Sequence, residues 1–261
     1  MTSNPEQRTM PGLAPDTAGQ QENPELVKKH LLEQAVELAP DLSELLRVYY
    51  RHVPAEELVD EPAELAGALR SHHRLAENRA PGRPVVQVFN PTRERDGWQS
   101  QSTVVQIVTD DMPYLVDSVV AGLVRQGARV QQVVHPIMVV QRDLTGVLHE
   151  VLPGADPAKP PEGTLAESWM FIEVDQIVDT NRLSQLEAEL SAVLNDVREV
   201  VEDAERMRET ALSLAEELRR DPPKVPPEED VRDAAELLRW LSSGHFTFLG
   251  YSRYELDEGS D

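Results

Sequence analysis

Leu183, Leu186, Leu190, Val193, Val197, Val200, Ala204, Met207, Ala211, Leu214 and Leu218 follow one another at alternating spacings of three and four residues. That seam admits one conformation, a single long helix with one apolar stripe. At about 1.5 Å of rise per residue the helix is roughly 60 Å long. One small sheet covers about half of such a length. The remainder needs another helix, from this chain or from a second copy, so a homo-oligomer held through the Leu183–Leu218 face is expected. Asp221-Pro222-Pro223 ends the helix, because the residue before a proline is pushed out of helical geometry.

The rest of the chain divides around this element. Residues 1–23 are rich in Pro, Gln and Thr and read as a disordered tail. Residues 24–80 read as a helical segment. Its first helix runs over Pro24–Ala39, Asp41 and Glu44 form a capping box for the second, and Asp60 caps a third that carries Leu65, Leu69 and His72 or His73. Ala80-Pro81-Gly82 breaks the pattern and the period changes. Strands are expected at Pro84–Phe89 and Trp98–Val108. Asp110-Asp111-Met112-Pro113 follows as a helix start, with acidic N-cap and proline in the first turn. That helix closes at Gly127, a C′ glycine. A long strand at Arg129–Gln141, a turn at Asp143–Gly146, a return strand at Val147–Leu152 and a strand at Trp169–Ile177 complete a module over 81–225. Pro226-Pro227-Glu228 starts a last helix closed by Gly244, and His245–Leu256 reads as a strand. Residues 226–261 therefore look like the opening of a further module. The fold class is α+β: an N-terminal helical layer, an antiparallel sheet with helices on one face, and an extended second helix.

Forty-seven Asp and Glu against 25 Lys and Arg give a formal charge of -22. That field repels phosphate backbones and anionic lipid, so neither nucleic acid nor a membrane surface is an expected partner. No apolar run reaches the roughly 18 residues of a spanning helix, and no signal peptide is visible; a cytoplasmic protein is expected. Without cysteine there is no thiolate chemistry and no Cys-type metal site. There is no G-x-G-x-x-G, no G-x-x-x-x-G-K-[ST] and no G-x-S-x-G. The seven histidines show no metal-ligand spacing, and Glu202-Asp203 and Glu216-Glu217 lie off the apolar seam on a solvated face. No catalytic residue and no metal ligand is therefore assigned. A small hydrolase working through the surplus carboxylates remains the least favoured alternative.

One constellation has chemical potential. Strand, acidic-x-Pro turn, helix, glycine and strand follow in order at Asp111, Pro113, Leu115, Gly127 and Val130. This order resembles the ACT module, a βαββαβ unit that often binds amino acids. The resemblance implies a candidate effector site at Asp110, Asp111, Met112, Pro113, Tyr114 and Gly127. Ligand-binding ACT modules carry glycine directly after the proline. Tyr114 stands there instead, and its side chain fills the space in which a ligand would meet the backbone. Effector binding and simple helix capping both stay open for this turn.

Longer phrases point further. Val48-Tyr-Tyr-Arg-His-Val-Pro54, Thr109-Asp-Asp-Met-Pro-Tyr-Leu-Val-Asp-Ser118, Val134-His-Pro-Ile-Met138, Glu167-Ser-Trp-Met170 and Leu237-Leu-Arg-Trp-Leu-Ser-Ser-Gly-His-Phe-Thr-Phe-Leu-Gly-Tyr251 occur in that order. From Pro24 onward the chain is similar to the N-terminal region of the large bacterial NAD-specific glutamate dehydrogenases. The resemblance implies a non-catalytic segment for regulation and assembly, made of ACT-like modules. Its partner is then its own downstream catalytic domain, which uses NAD; no cofactor is expected in this part. The other reading is a free-standing ACT-type sensor of amino acids.

Overall fold

Asn23 opens the first helix by accepting a hydrogen bond from the Glu25 amide at 3.1 Å, and Pro24 supplies a preset φ at a position that needs no amide donor. The computed structural model describes residues 23–59, 61–223, 227–252 and 254. The expected tail and the expected Asp60 cap lie outside them, the tail but for Asn23. Helix α1 (Pro24–Leu38) leads into α2 (Ser43–Tyr49) and α3 (Pro62–Ala76). Asp41 does not cap α2; it sits inside a short 3-10 turn, Pro40–Leu42, and its carboxylate accepts from Arg70 at 3.2 Å.

Strand β1 (Val85–Phe89) is followed by a four-residue helix α4 (Arg93–Asp96) and by β2 (Thr103–Asp110). Helix α5 (Leu115–Arg125) leads to β3 (Val130–Val134), β4 (Ile137–Arg142), β5 (Leu148–Val151) and β6 (Leu165–Val174). Strand β6 is central. Along one side it pairs with all of β2, from Thr103↔Val174 to Asp110↔Glu167. Along the other it pairs first with β3 and then with β4, laid end to end. The single strand expected at Arg129–Gln141 is thus broken at His135–Pro136, where proline has no amide to offer the ladder. The Pro136 carbonyl still accepts from the Trp169 amide at 3.0 Å.

All pairs are antiparallel. The β2–α5–β3/β4–β6 run is a split βαβ arrangement. The last strand differs from the expected βαββαβ order. The edge beside β2 is filled by β1, which precedes the unit, and among the described residues no strand follows α6 (Thr180–Arg220) in this sheet. Residues 246–252 carry no strand either, so the strand expected at His245–Leu256 is absent from its described part. Helix α7 (Glu228–Trp240) ends in a π-type turn, Leu241–His245, with Gly244 at φ 92°.

Helices cover both faces of the sheet. On one side Trp169, Phe171, Val104, Val108 and Met138 pack against α1–α3. On the other Met170, Ile172, Val174, Val105 and Ile107 pack against α5 and the front half of α6. Two covered faces explain why β2 reads as a nearly continuous apolar run rather than an alternating one. The stripe of α6 is buried at Leu186, Leu190, Leu194 and Val197 against the sheet, and at Met207, Ala211 and Ala215 further on. Leu194 and Ala215 lie off the predicted seam, and Leu214 on it is 37% exposed. A straight helix has about 3.6 residues per turn, so a strict seven-residue pattern drifts by about 20° per heptad and the buried stripe moves to the next neighbour. The rear half of α6 packs against α7 of the same chain, whose Val231 and Ala235 are buried.

Candidate functional site

Strand β2 delivers Asp110 directly opposite Glu167 of β6. Two like charges facing each other across a ladder repel. This pair is held by guanidinium groups that arrive from other elements. Arg79, just past α3, donates from Nη2 to Asp110 Oδ1 at 2.5 Å and from Nε to Glu167 Oε1 at 2.9 Å. Arg142 at the end of β4 forks onto Glu167, Nε to Oε1 at 2.6 Å and Nη2 to Oε2 at 2.9 Å. Trp169 Nε1 donates to Glu167 Oε2 at 3.1 Å. Arg198, from the middle of α6, donates from Nη2 to Asp110 Oδ2 at 2.5 Å. Three cations against two carboxylates leave one positive charge, and Glu202 on the surface faces Arg198 at 3.4 Å. Burial works to raise the Asp110 carboxyl, but Arg79 and Arg198 outweigh it and hold it below the usual carboxylate range.

Asp110 is therefore neutralised and does not cap α5. The strand carries through it, and α5 begins only at Leu115, so Pro113 precedes the helix rather than lying in its first turn. The N-cap is Tyr114, at φ 70° and ψ 0°. It is the one non-glycine residue with positive φ among those described. The position at which ligand-binding ACT modules carry glycine thus has the left-handed backbone that glycine adopts freely. Asp111 donates its amide to the Ala166 carbonyl at 3.0 Å. Met112 is half-buried, and the Tyr114 hydroxyl lies 3.3 Å from Thr247 Oγ1. Gly127 does end the helix at φ 75°, with the Ala128 amide donating to the Leu123 carbonyl at 3.0 Å. It stands at the far end of α5, roughly 16 Å from the turn at about 1.5 Å per residue. Of the six candidate residues, Asp111, Met112, Pro113 and Tyr114 share one turn, Asp110 ends the strand just before it, and Gly127 does not join them.

Beside that turn Asp111, His135 and Ser168 come together. Ser168 Oγ and His135 Nε2 share a hydrogen bond of 2.5 Å. Burial raises the Asp111 carboxyl while His135 opposes it; burial lowers the His135 pKa while Asp111 opposes it. The residue types are those of a Ser-His-Asp triad, but the arrangement does not serve nucleophilic attack. Ser168 is fully buried in the central strand, where no substrate carbonyl reaches it. No hydrogen bond joins Asp111 to His135 among the described residues. The same residues show no cluster of three His, Asp or Glu side chains able to hold a metal ion, and no helix long and apolar enough to cross a membrane.

Sequence reading missed Arg79, Arg142, Arg198 and Glu167 as one unit. A signal existed: in β6 a charged residue, Glu167, shares a face with Trp169 and Phe171 by the two-residue period of a strand. A carboxylate on a buried face requires cations. Nothing local says which arginines supply them.

The family model described as Glutamate dehydrogenase, ACT1 domain, matches residues 45–190. The chain is 37% identical over 221 residues to the NAD-specific glutamate dehydrogenase of Halomonas elongata, covering 84% of this chain and 14% of that protein. The NAD-specific glutamate dehydrogenase of Pseudomonas aeruginosa is 33% identical over 234 residues, covering 89% and 14% respectively. That of Mycobacterium tuberculosis is 33% identical over 191 residues, covering 73% of this chain and 11% of its own length. The chain thus spans about a seventh of the length of the first two relatives.

Proposed function

Because the chain belongs to the glutamate dehydrogenase ACT1 domain family, we propose that it acts as the non-catalytic N-terminal regulatory and assembly segment of a large NAD-specific glutamate dehydrogenase. The whole enzyme, in the cytoplasm, converts L-glutamate, NAD+ and water to 2-oxoglutarate, ammonium and NADH. Binding of NAD and chemistry on glutamate belong to the part of the polypeptide outside this segment. One observation carries the reading: the chain matches dehydrogenases of which it makes up only 14%. The geometry is in keeping with it, since buried Glu167 and part-buried Asp110 are spent on holding layers together.

The assembly role rests on a surface. The front of the Leu183–Leu218 face is covered by the sheet and its rear by α7. Exposed apolar side chains gather instead on and after α7: Leu237, Trp240, Phe246 and Leu249. Water contact there is unfavourable, and the polypeptide that continues in the longer relatives, or a second copy, is the natural cover. The test is direct. The purified 261-residue chain, mixed with glutamate and NAD+, is expected to give no rise in absorbance at the NADH band and no heat on titration with NAD+. Turnover by the chain alone overturns the reading.

A further inference from the structure

On the helical-layer side, at the opposite end of the strands from Asp110, a pocket of about 360 Å³ opens between α3, the loop leading into β2 and the end of β6. It is at the small end of the range that holds small molecules. We propose that it binds a small organic cation with an apolar body.

Its walls supply each requirement. Leu58, Leu65 and Phe171 are buried side chains that line it and offer an apolar bed. Trp98, 2% exposed, also borders it and extends that apolar bed. Glu64 is already answered: Arg93 Nη2 donates to it at 2.6 Å and the Gln99 amide at 2.5 Å. Glu173 is different. Ser100 Oγ donates to its Oε1 at 2.7 Å, and no cation pairs with it among the described residues. Glu173 lines the pocket together with Tyr50, so its carboxylate stands at the pocket wall. An ammonium group on a ligand answers Glu173. The charge of -22 draws cations toward the mouth and repels anions.

This site is distinct from the Asp111 turn and does not rest on the proposed dehydrogenase role. Tyramine is a fitting probe, with an ammonium, an aromatic body and a phenolic oxygen. Phloretate, which carries a carboxylate in place of the amine, is its control. Calorimetry and tryptophan fluorescence of the whole chain are expected to show saturable binding of one equivalent of tyramine and none of phloretate. Glu173→Gln keeps the acceptor for Ser100 but removes the charge; it is expected to weaken binding about tenfold or more, the loss of one charge-assisted contact. A thermal melt of Glu173→Gln separates loss of binding from loss of fold. No saturation by tyramine, equal binding of phloretate, or unchanged affinity in Glu173→Gln each overturns the proposal.

Discussion

Glu167 has no solvent exposure, and the side chains of Arg79 and Arg142 are 1% and 4% exposed. Removing the carboxylate leaves buried guanidinium groups without their counter-charge, which costs about 3–5 kcal/mol. Glu167→Ala is expected to lose that much in urea denaturation, while Arg208→Ala, on the exposed face of α6, stays within about 0.5 kcal/mol. His72 gives a second residue-scale prediction. It accepts from the Tyr49 hydroxyl at Nδ1, 2.7 Å away, and donates from Nε2 to the Ile107 carbonyl at 3.1 Å. Burial lowers its pKa from 6.5 to about 3, although the bond to Ile107 acts the other way. Below pH 6.5 the unfolded chain takes up a proton that the folded chain refuses. Stability from this group is therefore complete above that pH and falls by up to about 1.4 kcal/mol per pH unit toward pH 3. Asp110, held low by its arginines, adds loss in the same direction below its ordinary value of 3.8. His72→Gln is expected to lower stability at neutral pH and to flatten its acid dependence by about one proton between about pH 6 and 4.

At the scale of elements, α3 shows packing overruling propensity. Gly67 lies in its interior, where alanine is better by about 1 kcal/mol. A Cβ at that position would stand 2.3 Å from Trp98 Cβ. Gly67→Ala is expected to destabilise the fold rather than stabilise it, by about 1–3 kcal/mol, as overpacking does; a raised melting temperature would show that the loop holding Trp98 yields. The two halves of α6 also separate. Val197, 7% exposed, sits in the sheet-side core, and a charge there costs several kcal/mol, on the order of 3 or more. Val197→Asp is thus expected to lower the global melting transition. Ala235→Glu, at the buried contact of α7, is expected to free α7 for limited proteolysis while the sheet's transition stays close to its original temperature.

The whole molecule is three layers, α1–α3, the sheet, and α5 with α6, and the Asp110–Glu167 pair ties all of them. Arg79 comes from the end of the first layer, Arg142 from the sheet and Arg198 from the third. A displacement of α6 must therefore strip a cation from Asp110, so the network resists sliding of the layers more than it contributes net stability. Gly146 adds a further tie. Its backbone, at φ 93°, lies so close to Arg79 that a Cβ would stand 2.1 Å from the Arg79 carbonyl oxygen, while the Arg79 amide donates to its carbonyl at 3.0 Å.

The period of the apolar residues determined what is local: the long helix ended by Asp221-Pro222-Pro223, the C′ role of Gly127, the turn before Gly146, and helices first with strands after. These depend on backbone preferences within a few residues, which the order of side chains carries directly. The resemblance in the quoted phrases identified the family before any packing was known. Tertiary structure alone decided that β1 takes the edge beside β2, that α7 lies on the rear of α6, and that Asp110 meets Arg79 and Arg198 instead of capping α5. Each of those joins residues distant in sequence, where the choice of partner is set by how whole layers fit and by the charge of a buried carboxylate that has to be answered by whichever cation the fold brings near.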